Sequence, residues 1–411
     1  MNEVPLSVLA FSPYLPYPPD HGGRIRTFLL LRELVRRGHD VVLVPLLADD
    51  RELAQVAGLE EAGVRVEPIV HPRRFGVLTA ADRLRKLANL ARGRSDVLAR
   101  FWSDAAVRTA RSLGGGVDVV LAEVLWAAPL ALAIDGAARV LNAHNVESII
   151  ADRTAEQTAG TLRRTLARLE ARGLKKDEAR LLDGFDSVVC VSDVDRDAMA
   201  SMAPHVAVEV IGNCVDTELL QPLEPVSDGP PVCLFIGSAN YPPNLTAVEH
   251  FATRVLPKVR EELPGARFVV VGADPPERLR RLASDDAGVE IRGYVDDVVD
   301  SYRGCTQSVV PIQVGGGTRT KILEALALQR PVVSTTVGAE GLPVEHEEHL
   351  LIADGAAAMA AAVVRLHTDT VLRDRLVRDG RALVENRGSA RAAGEALERV
   401  LMAARSRTTG T

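Results

Sequence analysis

The stretch Ser308–Leu328, SVVPIQVGGGTRTKILEALAL, decides the fold. Val309-Val310-Pro311-Ile312 reads as a short buried strand that ends at a glycine triplet, Gly315-Gly316-Gly317. Beyond the glycines, Ile322, Leu323, Leu326 and Leu328 recur at the spacing of one buried helix face. Thr318 is the expected N-cap, and Arg330-Pro331 closes the helix before a second apolar strand at Val332-Val333. The unit is strand, glycine turn, helix, strand. Glycines permit close backbone approach, and a helix start offers free N–H groups, so the turn suits an anion. Arg319 and Lys321 place two cations there, with Glu324 one helical turn further on. That group fits a ligand with phosphates at one end and hydroxyls beside them. The competing reading is a packing turn with solvated charges.

Composition bounds the rest. A chain of 411 residues exceeds one ordinary core, so two domains are expected. A hydrophobic fraction of 47% and a charged fraction of 25% are those of a soluble globular protein. The net charge of -6 argues against nucleic acid as a partner, whose binders carry a basic footprint. Cys190, Cys214, Cys233 and Cys305 are scattered, and no two have metal-ligand spacing. Each lies in or beside an apolar run, which reads as buried free thiols in a reducing compartment. The start MNEVPLSVLAF lacks the basic residues and long apolar core of a signal peptide. No apolar run reaches the roughly 20 residues that span a bilayer. A cytoplasmic location is expected.

Leu6 to Phe11 reads as a strand, followed by a proline-rich loop, SPYLPYPPDHGG, ending at Gly22-Gly23. Helical spacing then runs from Arg24 to Arg37, and Val41 to Leu47 is apolar on both faces, as in a central parallel strand. This is a βαβ crossover with a glycine pair at its turn, although the dinucleotide spacing GxGxxG is missing. Gly22-Gly23 with Arg24 and Arg26 either receives an anion or simply makes a turn. Further strands are expected at Val64–Val70, Val117–Leu121, Arg139–Ala143, Val188–Val191 and Val206–Ile211. Helices are expected near 77–91, 96–113, 126–134 and 157–182, the second containing Trp102 as a packing residue. The third of these strands, Arg139–Ala143, delivers Asn142, His144, Asn145 and Glu147 at its carboxyl end, where ligands of open α/β sheets bind. His144 is therefore read as functional. The basic side of 157–182 (Arg163, Arg164, Arg168, Arg172, Lys175, Lys176) is by default a solvated face, with an anionic acceptor or membrane surface as the minority reading.

Leu220–Pro231, LQPLEPVSDGPP, reads as the linker between domains. The alternation then restarts with strands at Val232–Ile236, Phe268–Val271 and Val289–Ile291, and helices at 244–263 and 276–283. The turn Gly293-Tyr294-Val295 precedes the opening stretch, and three helical patterns beginning near Ala356, Thr370 and Ala390 end the chain. The expected organisation is an N-terminal Rossmann-like domain over 1–220, a linker over 221–231, a C-terminal Rossmann-like domain over 232–388 and a final helix over 389–411. The fold class is α/β, two doubly wound parallel sheets with a cleft between their strand ends.

On these residues the chain resembles the GT-B glycosyltransferases of the retaining family 4 type. DHGG with a helix ending RRGH, NAHNVES, VVCVSD, VIGNCVD, LFIGS, FVVVGA, IRGYV and GGTRTKILEALALQRPVV stand in family order from Leu6 to Val333. The resemblance implies a nucleotide-sugar co-substrate bound by the C-terminal domain and an acceptor on the N-terminal side. Glu324 matches the second glutamate of the paired-glutamate signature, which accepts hydrogen bonds from the ribose. The first glutamate stands eight positions earlier, and this sequence departs from the pattern there with Gly316. The family also places an arginine after the glycine of LFIGS and a lysine soon after, both for the diphosphate. Here Ser238 follows Gly237, and 240–244 contains no lysine. Arg319, Thr320 and Lys321, with Gly317 and Thr318 beside them, are expected to supply phosphate donors instead. His144 matches the histidine near the reacting centre, Gly22 and Gly23 the loop on the diphosphate side, and Tyr294-Val295 the turn that receives the base. A family C-terminal helix crosses back to the N-terminal domain.

The implied chemistry places the leaving diphosphate's charge on these donors. No carboxylate stands out as a covalent nucleophile, which fits the front-face route ascribed to the family. Neither a metal nor a further cofactor is expected. Acceptors of such enzymes in GC-rich bacteria, which the Ala, Arg and Gly content suggests as the source, are natural products, envelope lipids or polysaccharides. Two rival classes remain. A nicotinamide-dependent Rossmann oxidoreductase lacks GxGxxG with an acidic residue about 20 positions on. A catalytically inactive GT-B scaffold or regulatory partner draws support from Gly316 and the missing arginine.

Overall fold

Buried apolar strands alternate with helices twice along the chain, and each series closes its own parallel sheet. The computed structural model describes residues 4–71, 80–101, 104–226, 229–283, 286–295, 297–315 and 319–409. It divides into a first unit, Met1–Gly212 with Ala393–Thr411, and a second, Asn213–Ala392.

Among the described residues the first unit has strands β1 (Ser7–Ser12), β2 (Asp40–Leu47), β3 (Arg65–Val66), β4 (Ile69–Val70), β5 (Val119–Glu123), β6 (Ala138–Asn142), β7 (Ser187–Cys190) and β8 (Ala207–Val210). They pair in parallel in the order β3-β2-β1-β5-β6-β7-β8, with β4 also on β2. Leu9 is registered with Val42 on one side and Val120 on the other, so β1 is central and its residues are apolar on both faces. Leu9, Phe11, Val44, Val120, Leu141 and Val188 anchor the core against the helices that cover the sheet. The chain order reverses between β1 and β5. A crevice at the carboxyl ends of those two strands is where such sheets bind ligands.

The second unit repeats this logic with β9 (Val232–Ile236), β10 (Arg267–Val271), β11 (Val289–Arg292), β12 (Gln307–Val310), β13 (Val332–Ser334) and β14 (Leu351–Ile352). Their order, β11-β10-β9-β12-β13-β14, is parallel and doubly wound, with the reversal between β9 and β12. The helix Thr320–Ala327 follows β12 and buries Ile322, Leu323, Ala325 and Leu326. Two Rossmann-like parallel sheets are thus present.

Several elements differ from their expected bounds. The expected strand 64–70 is two short pieces, β3 and β4. The expected helix 157–182 is Thr161–Leu182, preceded by a separate helix Glu147–Gln157, because Gly160 turns the chain through φ 87° between them. The pattern 96–113 is two helices, Asp96–Ala99 and Asp104–Leu113, and Trp102 lies outside the described residues, as does the start of the pattern 77–91, whose described helix is Ala80–Ala91. The pattern 244–263 is Pro242–His250, a wide turn Phe251–Val255, and Leu256–Glu262. Pro257 has no N–H to continue the ladder, so the helix widens just before it.

The unit boundary lies at Gly212–Asn213, upstream of the proline-rich stretch. The reason is hydrogen bonding. Arg381 donates to Leu220 O (2.6 Å) and Ala327 O (2.5 Å), Arg330 to Glu224 O (2.9 Å), and Leu223 N to Leu328 O (3.2 Å). These carbonyls tie 217–224 to the second unit. The last helix, Ala390–Thr409, leaves that unit at Ala393 and joins the first. There Glu398 pairs with Arg37 and with His39 Nε2 (2.9 Å), and Arg405 with Asp118 (2.8 Å). All four cysteines are buried and free.

Candidate active site

Each reversal point gathers polar side chains at the carboxyl ends of its strands. In the first unit Glu123 is the last residue of β5 and is fully buried. A buried carboxyl group needs hydrogen-bond partners, and its Oε2 has three: Thr27 Oγ1 at 3.0 Å, Asn142 Nδ2 at 2.9 Å and His144 Nε2 at 3.2 Å. Asn142 Oδ1 in turn accepts from Arg26 Nε (3.2 Å) and Nη2 (2.8 Å), while Arg26 Nη1 donates to Gly212 O (2.8 Å). The chain then bends sharply. Val124 takes φ 62° and ψ 159°, a region that only glycine enters without strain, at a cost of about 1–3 kcal/mol. Its N–H donates to Asn142 O at 2.9 Å, so the strained residue locks the end of β5 onto β6.

His144 stands two residues past β6 with 8% of its side chain exposed. Burial pushes its pKa below the ordinary value while Glu123 pulls the other way, and the neutral imidazole results. Gly23, at the start of the helix Gly22–Arg36, faces it. A Cβ on Gly23 would lie 3.0 Å from Tyr14 Oη and 3.6 Å from His144 Nδ1, so the missing side chain leaves space between those atoms. Burial, then Glu123, pushes the Tyr14 phenol up to about 12. Glu178 accepts from Glu147 N (2.9 Å) and Ser148 N (3.0 Å), capping the helix Glu147–Gln157. Burial and the nearby Glu178 carboxylate push Glu147 up to about 7, so its carboxyl titrates at neutral pH.

In the second unit Gly237 follows β9, and Lys321 reaches it from the helix after β12. Lys321 Nζ lies 4.0 Å from the Phe235 ring centroid and 3.5 Å from Asn244 Oδ1. A Cβ on Gly237 would stand 2.6 Å from that nitrogen, so the lysine tip occupies the space a side chain there would fill. Neither contact carries negative charge. Burial lowers Lys321 to about 7, against the pull of Glu324, while Arg319 adds to the fall. Burial also raises Glu324, with Lys321 opposing, and lowers Arg319, which is 8% exposed. The helix Pro242–His250 opens with two prolines, which lack N–H donors. Positive charge at the end of β9 therefore comes from Lys321. The arrangement can hold an anion at Gly237 and hydroxyl groups beside Glu324.

The expected site residues fall in both units. Gly22, Gly23 and His144 belong to the first, and Gly237, Ser238, Tyr294, Val295, Arg319, Thr320, Lys321 and Glu324 to the second. Tyr294 is 70% exposed just beyond β11, and Ser238 is exposed beside Gly237. Gly316, Gly317 and Thr318 lie outside the described residues, and the helix begins at Thr320 with Arg319 as its cap residue. Sequence reasoning missed Glu123, Tyr14, Thr27 and Asn244. Glu123 offered one signal, a carboxylate closing an apolar run. Among the described residues no three His, Cys, Asp or Glu side chains group as a metal would require.

Comparison with known proteins matches two families. Glycosyltransferase Family 4 matches residues 21–219, and Glycosyl transferases group 1 matches residues 230–369. A protein of Klebsiella pneumoniae, described as an uncharacterized 44.6 kDa protein in the cps region, is 23% identical over 373 residues, 87% of this chain and 90% of that protein. Among solved structures, sucrose-phosphate synthase from Thermosynechococcus elongatus is 18% identical with TM-score 0.66, covering 97% of this chain and 100% of that one. HepE from Anabaena, in complex with UDP, is 16% identical with TM-score 0.67 over 97% and 100% of the two chains. TarM is 10% identical with TM-score 0.70 over 97% and 99%. At these identities the likeness is one of fold, the GT-B fold.

Proposed function

Because the chain belongs to the group 1 and family 4 glycosyltransferases, we propose that it moves a sugar from a nucleoside-diphosphate donor to an acceptor hydroxyl with retention of configuration. The observation that carries this reading is the Lys321 ammonium against Gly237, with Glu324 one turn along the same helix. Lys321 and Arg319 neutralise the diphosphate, Glu324 accepts from the ribose hydroxyls, and the exposed Tyr294 ring meets the base. As the bond from the anomeric carbon to the phosphate oxygen breaks, negative charge grows on the leaving group, and fixed cations stabilise it. The acceptor oxygen bonds to the same face of the sugar, and its proton passes to the departing phosphate oxygen. No protein nucleophile or metal enters this scheme.

A uridine nucleotide is the first donor to test, since HepE is described with UDP and with UDP-glucose. UDP, TDP or GDP is expected to raise the melting temperature, whereas NADH is not. Glu324→Gln keeps one carbonyl acceptor and loses a charged one. It is expected to weaken the bare nucleotide by about tenfold, or about 1.4 kcal/mol, at the low end for charge-assisted hydrogen bonds. Unchanged affinity in calorimetry removes Glu324 from the ribose. Gly316 and the absence of an arginine after Gly237 favour one second reading, an inactive GT-B scaffold. Slow hydrolysis of any member of a nucleotide-sugar panel excludes it.

The acceptor is proposed to be a natural product, an envelope lipid or a polysaccharide, and the enzyme to work in the cytosol, in keeping with its free buried thiols. Contact with a membrane surface is supported by the helix Thr161–Leu182. Between 161 and 176 it carries six basic residues and one acidic, in a chain of net charge -6. Leu162 and Leu169 are 74% and 41% exposed on the same stretch. Vesicles containing phosphatidylglycerol are expected to sediment the protein at low salt, and Leu162→Glu with Arg164→Glu to abolish it. Equal recovery with neutral vesicles, or none with either, defeats the idea.

A further inference from the structure

We propose that the outer helical layer of the first unit carries a second binding site, one that takes an aliphatic chain ending in a phosphate. The site is an open pocket of about 710 Å³, an ordinary volume for a small-molecule site. Arg111 and Arg180 line it from the last turns of the helices Asp104–Leu113 and Thr161–Leu182, and Leu132 from the end of the short helix Ala128–Ala131. Those three helices lead into the amino ends of β5, β6 and β7. Glu123 and His144 stand at or beyond the carboxyl ends of β5 and β6. The pocket is therefore at the other end of the sheet, and it is independent of the nucleotide chemistry.

The floor is aliphatic, formed by Leu98, Pro129, Leu132, Ala133 and Leu181. Among the described lining residues there is no aromatic ring, so a nucleobase finds no stacking surface. The neutral and acidic groups are already engaged. Ser95 Oγ donates to Glu170 (2.7 Å) and Asn89 Nδ2 to Asp96 (3.1 Å). Asp177 accepts from Ser95 N (2.8 Å) and stands 3.6 Å from Arg180. A sugar or polyol hydroxyl therefore meets no free carboxylate. What remains to bind a ligand is positive. Arg94 and Arg111 are both exposed on the lining, and among the described residues no carboxylate pairs with either. Arg111 spends only its Nε, on Ala133 O at 3.3 Å. Guanidiniums above an aliphatic floor match an anion with an aliphatic tail, and their forked donors suit phosphate.

Cations in a last helical turn also answer the helix dipole, which accounts for Arg111 and Arg180 without any ligand. Arg94 has no such reason. It lies between helices, in a loop that the long helix Thr161–Leu182 clamps. A Cβ on Gly173 would lie 2.9 Å from the Arg94 carbonyl carbon and 3.1 Å from Ser95 N, so the glycine lets that helix press on the loop backbone. Lys176 of the same helix closes on the loop as well, its Nζ 3.7 Å from where a Cβ on Gly93 would stand. The packing thus brings a further cation, and no carboxylate, to the loop that holds Arg94. Like charges gathered in this way repel, and a bound anion relieves the repulsion.

Calorimetry with decyl phosphate tests the site in the full chain. One equivalent is expected to bind, with decanol and inorganic phosphate each at least about tenfold weaker. Arg94→Ala combined with Arg111→Ala is expected to weaken decyl phosphate by about tenfold or more, and both side chains are exposed, so the variant keeps its fold. Inorganic phosphate as tight as decyl phosphate means an anion site without a chain pocket, and decanol as tight means an apolar groove without an anion site. Either result overturns the proposal, as do no binding, many equivalents, or a double variant that binds like the parent. Saturating UDP is expected to leave decyl phosphate in place. Displacement by UDP puts the molecule at the nucleotide site and also overturns the proposal, whereas a chain that binds decyl phosphate but no nucleotide defeats only the glycosyltransferase reading.

Discussion

Lys321→Met is expected to weaken binding of a nucleoside diphosphate by about a hundredfold, and of the monophosphate far less. The loss corresponds to about 2.7 kcal/mol, within the range of a charge-assisted hydrogen bond that leaves a buried partner unmatched. The ammonium is enclosed by Phe235, Asn244 and Gly237, and among the described residues no carboxylate forms an ion pair with it. Its folded pKa of about 7, against an ordinary 10.5, has a definite sign in linkage. Below pH 7 the lysine is protonated in both folded and unfolded chains, and burial of the charge costs stability. As pH rises from about 7 toward 10.5 the folded chain sheds its proton first, and that cost is relieved. Binding of a diphosphate reverses the preference by stabilising the ammonium. Affinity in the parent should therefore fall as pH rises above 7, with proton uptake on binding near pH 8. Calorimetry in buffers of different ionisation enthalpy measures that uptake. Lys321→Met should show neither effect, and equal losses for mono- and diphosphate would make Lys321 a structural residue.

The features that were legible in the sequence are those that depend on neighbours along the chain. β9, β10 and β12 are short apolar runs, each bounded by turn residues, and the pattern Ile322, Leu323, Leu326 fixes a helix face by local spacing alone. His144 was legible because it follows β6 directly, and a strand's carboxyl end is where ligands sit. What sequence could not provide was convergence. In the sequence Glu123 is visible only as a carboxylate closing the apolar run before it. Its burial depends on Thr27 arriving from the helix Gly22–Arg36 and on Asn142 and His144 arriving from the end of β6. Lys321 was singled out as a cation, yet its contact with Gly237 required the β9–β12 pairing. The proline-rich stretch after Leu220 has the composition of a linker, but composition does not reveal that Arg330 and Arg381 claim its carbonyls. Nor does helical spacing register that Pro257 widens the turn before it.

His144→Ala is expected to lower turnover by about 10²–10³-fold, as removal of one preorganised polar contact at a reacting centre does in other enzymes. Nucleotide affinity should be almost unchanged, because Gly237, Arg319, Lys321 and Glu324 all lie in the other unit. Some loss of stability is expected too. Glu123 Oε2 loses one of three hydrogen-bond partners, and a small cavity opens beside Gly23, together costing about 1–3 kcal/mol. A core histidine without a role at the site predicts a different pattern, in which activity falls only with the unfolded fraction and recovers at lower temperature. The pH profile separates the two further. Burial holds the His144 pKa below 6.5, so the parent should keep full activity through neutral pH and lose it on an acid limb as the imidazole gains its second proton. Protonation takes the imidazole's remaining lone pair, so the ring can then only donate. In His144→Gln that limb should vanish while a fraction of the rate survives. A folded His144→Ala enzyme that binds nucleotide and turns over at the parental rate with several donors would remove His144 from the site.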